Sequence, residues 1–180
     1  MLHLQDLDPG DAFPLYTMAI VEIPKGSAVR YKMHDKYNFL LVSAVLPEGI
    51  VYPQNYGFLP RTLAEDGDAL DVFVVTASPL MGLAAVEVKI LGGFTTESAK
   101  KGREEKLVGV YRADQRFLEV SSLDGLPSEE VKAMEEFLEG YLSGNAKKKI
   151  IGRYGPEKAQ AEMKKCAAAY RGNRKNLSGE

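Results

Sequence analysis

The apolar residues change period once, near residue 125, and this change constrains the fold more than any other feature of the chain. Before it, they come in short runs or alternate: Thr17 to Ile23, Val29 to His34, Asn38 to Val45, Val72 to Thr76, Gly82 to Leu91, Leu107 to Tyr111 and Phe117 to Val120. These are strand patterns. After it, Val131, Met134, Leu138 and Tyr141 recur at helical spacing, followed by Ala159, Met163, Cys166 and Tyr170. Ser128 is a good N-cap, with Glu129 and Glu130 in the first turn, where anions suit the helix dipole. Gly144-Asn145 ends that helix, and a second starts near Pro156 and runs toward Gly172. Strands followed by two helices predict an α+β domain with a small barrel or curled sheet.

The details of the strand region carry further expectations. Thr17 to Ile23 and Val29 to His34 flank a short Lys25-Gly26-Ser27 turn and read as a hairpin. Val29, Tyr31 and Met33 fall on one face, with Arg30, Lys32 and His34 on the other. Tyr52-Pro53 to Leu59-Pro60 cannot be a regular ladder with two prolines and a glycine. Gly92-Gly93 breaks the Gly82–Leu91 strand, and residues 95–105 read as a charged loop. The expected organisation is a single domain over 1–180, with an irregular lead-in at 1–15 and a frayed tail at 172–180.

Composition bounds the partners. The formal net charge is −2, so nothing pulls the whole chain toward nucleic acid or a membrane surface. No basic stripe with interleaved aromatics suggests an RNA-binding module. The N-terminus lacks the pattern of a signal peptide, and no apolar run approaches the roughly 20 residues that span a bilayer. One cysteine, Cys166, excludes an intrachain disulfide and suits a reducing compartment, so the expectation is a cytoplasmic protein.

The chemistry concentrates at Asp66-Gly67-Asp68-Ala69-Leu70-Asp71, just ahead of the Val72–Thr76 strand. Three carboxylates on a glycine turn can serve a hard divalent cation, which takes oxygen ligands and works with phosphates. The same residues also make an ordinary solvated turn. Nearby sequence adds groups suited to phosphate: Arg30 as a guanidinium clamp, and Tyr52 and Tyr56 as phenol donors. Glu97, Glu104, Glu105 and Lys106 form a further charged cluster. There is no EF-hand, Walker A loop or GxGxxG, and His3 and His34 make no zinc motif. Lys147-Lys148-Lys149 reads as a solvated helix end, and Cys166 as packing.

The run Tyr52-Pro-Gln-Asn-Tyr-Gly-Phe-Leu-Pro-Arg-Thr-Leu-Ala-Glu-Asp-Gly-Asp-Ala-Leu-Asp71-Val resembles the family I (soluble, Mg²⁺-dependent) inorganic pyrophosphatases. Their signature is Asp-Gly-Asp-Pro-x-Asp preceded by Tyr-Pro-x-Asn-Tyr-Gly. The match is specific at 52–75 and looser from Glu22-Ile23-Pro24 to about residue 150. The resemblance implies a five-stranded OB-like β-barrel flanked by two helices in the C-terminal half. It also implies hydrolysis of pyrophosphate to two phosphates, Mg²⁺ as cofactor with Mn²⁺ as a substitute, and a symmetric homo-oligomer.

Carried over by motif, the resemblance makes Asp66 and Asp71 metal ligands, with Glu97 and Glu104 as candidates in the acidic loop. Asp68 becomes the carboxylate that handles the proton of the attacking water. Arg30, Tyr56, Lys106 and Tyr141 become substrate contacts, with Glu22, Lys32 and Tyr52 as further candidates. The physical logic agrees: two metals about 4 Å apart can turn a shared water into a nucleophile. Phosphoryl transfer is otherwise mostly positioning and charge stabilisation.

The sequence departs from the family pattern within the site. Lys32 stands where the family has Glu, Ala44 where it has Arg, Leu142 where it has Lys, and Ala69 where it has Pro. These substitutions leave open a diverged relative that binds phosphate, a nucleotide or a protein partner with little hydrolysis.

Overall fold

The computed structural model describes residues 3–34, 37–140 and 147–178, with side chains through Asn173. Eight strands and two helices follow one another: β1 (Tyr16–Ile23), β2 (Val29–Met33), β3 (Leu40–Val45), β4 (Asn55–Phe58), β5 (Asp71–Val75), β6 (Ala85–Ser98), β7 (Gly102–Tyr111), α1 (Ser128–Gly140), β8 (Lys149–Tyr154) and α2 (Pro156–Ser178). Strands β1, β4, β5, β7 and β6 pair in that order, and β6 returns to pair with β1. This closes a five-stranded ring, the barrel expected from the resemblance. The β5–β7 pair is parallel and its other pairs are antiparallel. Closure removes the exposed edges that an open sheet would present.

Strand β5 shows why the chain folds this way. Its Val72 and Val74 join Val88, Ile90 and Leu107 in a core that includes Ala159, Met163 and Cys166 of α2. Its Phe73 and Val75 face the other way and pack with Val108, Val110 and the Val131, Met134, Phe137 and Leu138 face of α1. A strand covered on both faces is apolar throughout, as Val72–Val75 is. Each fully buried side chain of this kind is worth about 1.5–3 kcal/mol. Gly57 permits the tight β1–β4 contact, because a Cβ there would lie 1.8 Å from the Ile20 carbonyl oxygen.

Several expectations are corrected. β1 and β2 do not form a hairpin: β1 lies in the barrel, while β2 pairs with β3 in a separate two-stranded sheet. The stretch 95–105 is not a loop. The ends of β6 and β7 run on as a paired arm from Thr95↔Glu105 to Ser98↔Gly102. Gly92-Gly93 does not break β6; a register shift between Ile90 and Gly92 absorbs it, with Gly92 at φ 141. Phe117 closes a single 3₁₀ turn, Gln115–Phe117, in place of a strand. Strand β8 was not anticipated, and it covers the outer half of β6. Helix α2 continues past Gly172 to Ser178. Cys166 packs in the core as expected, and burial pushes its thiol up to about 12.

Candidate active site

The turn carrying the aspartates is built by its own residues. The Asp68 N–H donates to the Asp66 carboxylate at 3.2 Å, and the Ala64 N–H donates to the Asp68 carbonyl at 2.8 Å. Gly67 sits at φ 87, a conformation glycine adopts without strain. Thr62 locks the segment behind it by donating to the Leu59 carbonyl at 2.6 Å and accepting the Leu70 N–H at 2.9 Å. Asp71 is then the first residue of β5, next to Lys106 in the parallel β5–β7 register.

This turn meets the β6–β7 arm, the β2–β3 sheet and the start of β8 around a cleft of about 690 Å³. Arg30, Lys32, Tyr52, Tyr56, Asp68, Asp71, Glu104 and Lys106 all line it, together with Glu22. Residues from β1, β2, β4, β5 and β7 are thus brought into one space. Asp66 stands at its margin, joined to it through Lys101 at 3.4 Å. Tyr52 is buried, with its ring centroid 5.5 Å from that of Tyr56 and 4.5 Å from that of Phe137. Tyr56 is also edge-on to Phe73.

Two expected residues do not join the site as described. Glu97 points away from the cleft into solvent and pairs with Arg103 at 3.4 Å, because alternation along β6 sets it on the opposite side from Ser98. Tyr141 lies outside the described residues, as does Leu142. Ala44 is the register partner of Arg30 but does not line the cleft, whereas Lys32 does.

Sequence reasoning missed three residues. Ser98 lines the cleft. Lys101, at the tip of the β6–β7 turn, sits 3.4 Å from Asp66, 3.7 Å from Asp68 and 3.7 Å from Glu104. Lys148, read as a solvated end, is buried with its ammonium 2.6 Å from Glu104. Only the pairing of β8 on β6 brings Lys148 there, and no spacing in the sequence announces it.

Cationic side chains outnumber carboxylates on the cleft wall. At its floor, Lys106 binds Asp71 and lies 2.9 Å from Glu104. Burial opposes the charge on Glu104, but Lys106 and Lys148 outweigh it and hold the carboxyl down at about 2. Burial likewise opposes the charge on Lys106, and Asp71 and Glu104 outweigh it, raising the ammonium above its ordinary value. Lys148 is lowered, by burial and then by Lys106. Glu22 behaves differently. Burial, with a smaller contribution from Asp71, pushes its carboxyl up to about 7 against the lowering effect of the Met33 N–H that it accepts at 2.5 Å.

The donor chemistry suits a hard divalent cation: Asp66, Asp68 and Glu104 already surround one cationic centre, the Lys101 ammonium. Among the described residues, no three such groups yet stand close enough to grip an ion directly.

Comparison with known proteins agrees with this geometry. The family described as inorganic pyrophosphatase matches residues 19–171. An inorganic pyrophosphatase of Thermus thermophilus is 34% identical over 176 residues, covering 96% of this chain and all of that one. One from Geobacillus stearothermophilus is 35% identical over 154 residues, covering 84% of this chain and 92% of its own. The crystal structure of the Thermus thermophilus pyrophosphatase superimposes with a TM-score of 0.88 at 32% identity, over 93% of this chain and 98% of that one. A Helicobacter pylori inorganic pyrophosphatase structure gives 0.82 at 29% identity, over 87% and 94% of the two chains. A barrel, a carboxylate turn and a cationic cleft in this arrangement, matched over nearly the whole chain, make this protein a member of the inorganic pyrophosphatase family.

Proposed function

We propose that the protein hydrolyses inorganic pyrophosphate to two phosphates with Mg²⁺, or Mn²⁺ in its place. The observation that carries this reading is one cleft lined by Asp68, Asp71 and Glu104 beside Arg30, Tyr56 and Lys106. A heavily anionic substrate needs such cations before a nucleophile can approach it.

The residues divide the work. Arg30 clamps phosphoryl oxygens through its guanidinium, and Tyr56 donates its hydroxyl to them. Lys106 and Lys148, fixed by Asp71 and Glu104, contribute charge that needs no reorganisation during the reaction. Asp68 accepts the proton of the attacking water from its place on the glycine turn. Asp66, Asp71 and Glu104 are the residues to hold the divalent cation. Bound there, the cation supplies charge neutralisation and a lowered pKa for water.

A second reading, a binding protein with little turnover, draws on the lysines that already pair the site's carboxylates: Lys32 with Asp68 at 3.1 Å and Lys101 with three acids. Asp68→Asn separates the two. Phosphate release from pyrophosphate with Mg²⁺ is expected to fall at least about a hundredfold in this variant while pyrophosphate still binds. Equal background release by wild type and variant removes the hydrolase reading.

The protein's setting belongs to the same proposal. The single buried cysteine suits a reducing cytoplasm, and no described helix is long and apolar enough to cross a membrane. Exposed Leu41, Val42 and Val45 on β3 support a symmetric homo-oligomer.

A further inference from the structure

We propose that Lys101 is a metal-site residue: its ammonium, set between the proposed ligands Asp66 and Glu104 and beside the proposed base Asp68, holds the place of a divalent cation and must leave before the metal enters. This rests on the metal-assisted reading above and adds a residue that the family signature does not mark.

The geometry separates Lys101 from the other ammonium groups in the cleft. Lys106 and Lys148 are buried and anchored. Lys32 pairs with Asp68 from the β2 side. Lys101 instead stands within 3.4–3.7 Å of three carboxylates that come from two different chain segments. It reaches them from the exposed tip of the β6–β7 arm, where Gly102 at φ 70 turns the chain and Ser98 Oγ accepts the Lys101 N–H at 3.1 Å. Its side chain keeps 41% of its exposure, so it can withdraw into water without unpacking any core.

An ammonium and a divalent cation cannot share this space. The metal takes carboxylate oxygens at about 2.0–2.1 Å, closer than the ammonium holds them. The tethered charge therefore competes with the metal, and in its absence it keeps three acids from repelling one another. The cleft stays assembled without metal, at the expense of metal affinity.

The test is Mn²⁺ binding to the full chain without substrate, followed by electron paramagnetic resonance. Lys101→Met is expected to bind Mn²⁺ about tenfold more tightly than wild type. Lys101→Arg, which keeps the charge, is expected to match wild type. Lys132→Met is expected to match it too, since Lys132 pairs with Glu136 on the exposed face of α1, away from the cleft. Lys101→Gln serves as a second neutral variant, and circular dichroism reports that each is folded. Neutral variants that bind Mn²⁺ no more tightly than wild type overturn the proposal, as does a wild type and Lys101→Met pair that both take up none. Wild-type turnover of pyrophosphate with Mg²⁺, measured alongside, shows whether the hydrolase reading survives that result.

Discussion

Lys106 and Asp71 are register partners across the parallel β5–β7 pair, and the lysine's ammonium closes on the aspartate's carboxylate while also serving Glu104. This couples the barrel to the chemistry, because the pair that positions a proposed metal ligand also neutralises it. Lys106→Met leaves Asp71 without this partner and Glu104 with only Lys148 and the more distant Lys101. It is expected to cost about 3 kcal/mol of stability by urea denaturation, as for other broken buried pairs, and to abolish turnover.

Glu22 gives the site a stability cost at alkaline pH. Its folded-state pKa, about 7, lies above the ordinary 4.5. The contribution of the protonated form is therefore full below about pH 4.5 and lost as pH rises toward 7. Glu22→Gln keeps the shape and the acceptor for the Met33 N–H. In metal-free buffer it is expected to stabilise the protein by up to about 3 kcal/mol at pH 8, by the linkage of pKa to stability. The difference is expected to vanish near pH 4. A difference that grows toward low pH contradicts this assignment.

The Lys32–Asp68 pair is half-exposed on both sides, at 50% and 46%, so it contributes less than about 1 kcal/mol to folding. Lys32→Ala is expected to leave the melting temperature nearly unchanged. It is expected to lower kcat/KM for pyrophosphate about tenfold, through loss of one charge-assisted contact. Melting curves and steady-state kinetics on the same preparation check both halves.

Gly57 holds β1 and β4 together by having no side chain. Gly57→Ala puts a Cβ 1.8 Å from the Ile20 carbonyl oxygen and 2.9 Å from the Val21 Cα. All these contacts are with the β1 backbone, which cannot swing aside as a side chain can, and a loss of about 3 kcal/mol or more is expected in chemical denaturation.

How far the sequence told the site depends on where each residue's position is decided. Asp66, Asp68 and Asp71 were legible because one local turn, with its glycine and Asx hydrogen bond, sets them up. Tyr56 and Lys106 were legible because they lie on strands next to that turn in the barrel. The two helices were legible from their period and caps. Non-local pairing hid the rest. The hairpin between β1 and β2 was plausible from a short turn, but barrel closure gives β1 better partners in β4 and β6. Glu97 was misjudged because the 95–105 stretch read as a loop; as strand, alternation turns Ser98 inward and Glu97 outward. Lys148 arrives through β8, a strand with no signal of its own.

Phosphorus NMR of pyrophosphate with Mg²⁺ in the presence of the protein tests hydrolysis most directly. The pyrophosphate resonance is expected to be replaced by two equivalents of phosphate at a rate proportional to protein, and a chelator is expected to stop the conversion. Pyrophosphate that persists unchanged beside folded protein, with Mg²⁺ or Mn²⁺ in excess, contradicts it.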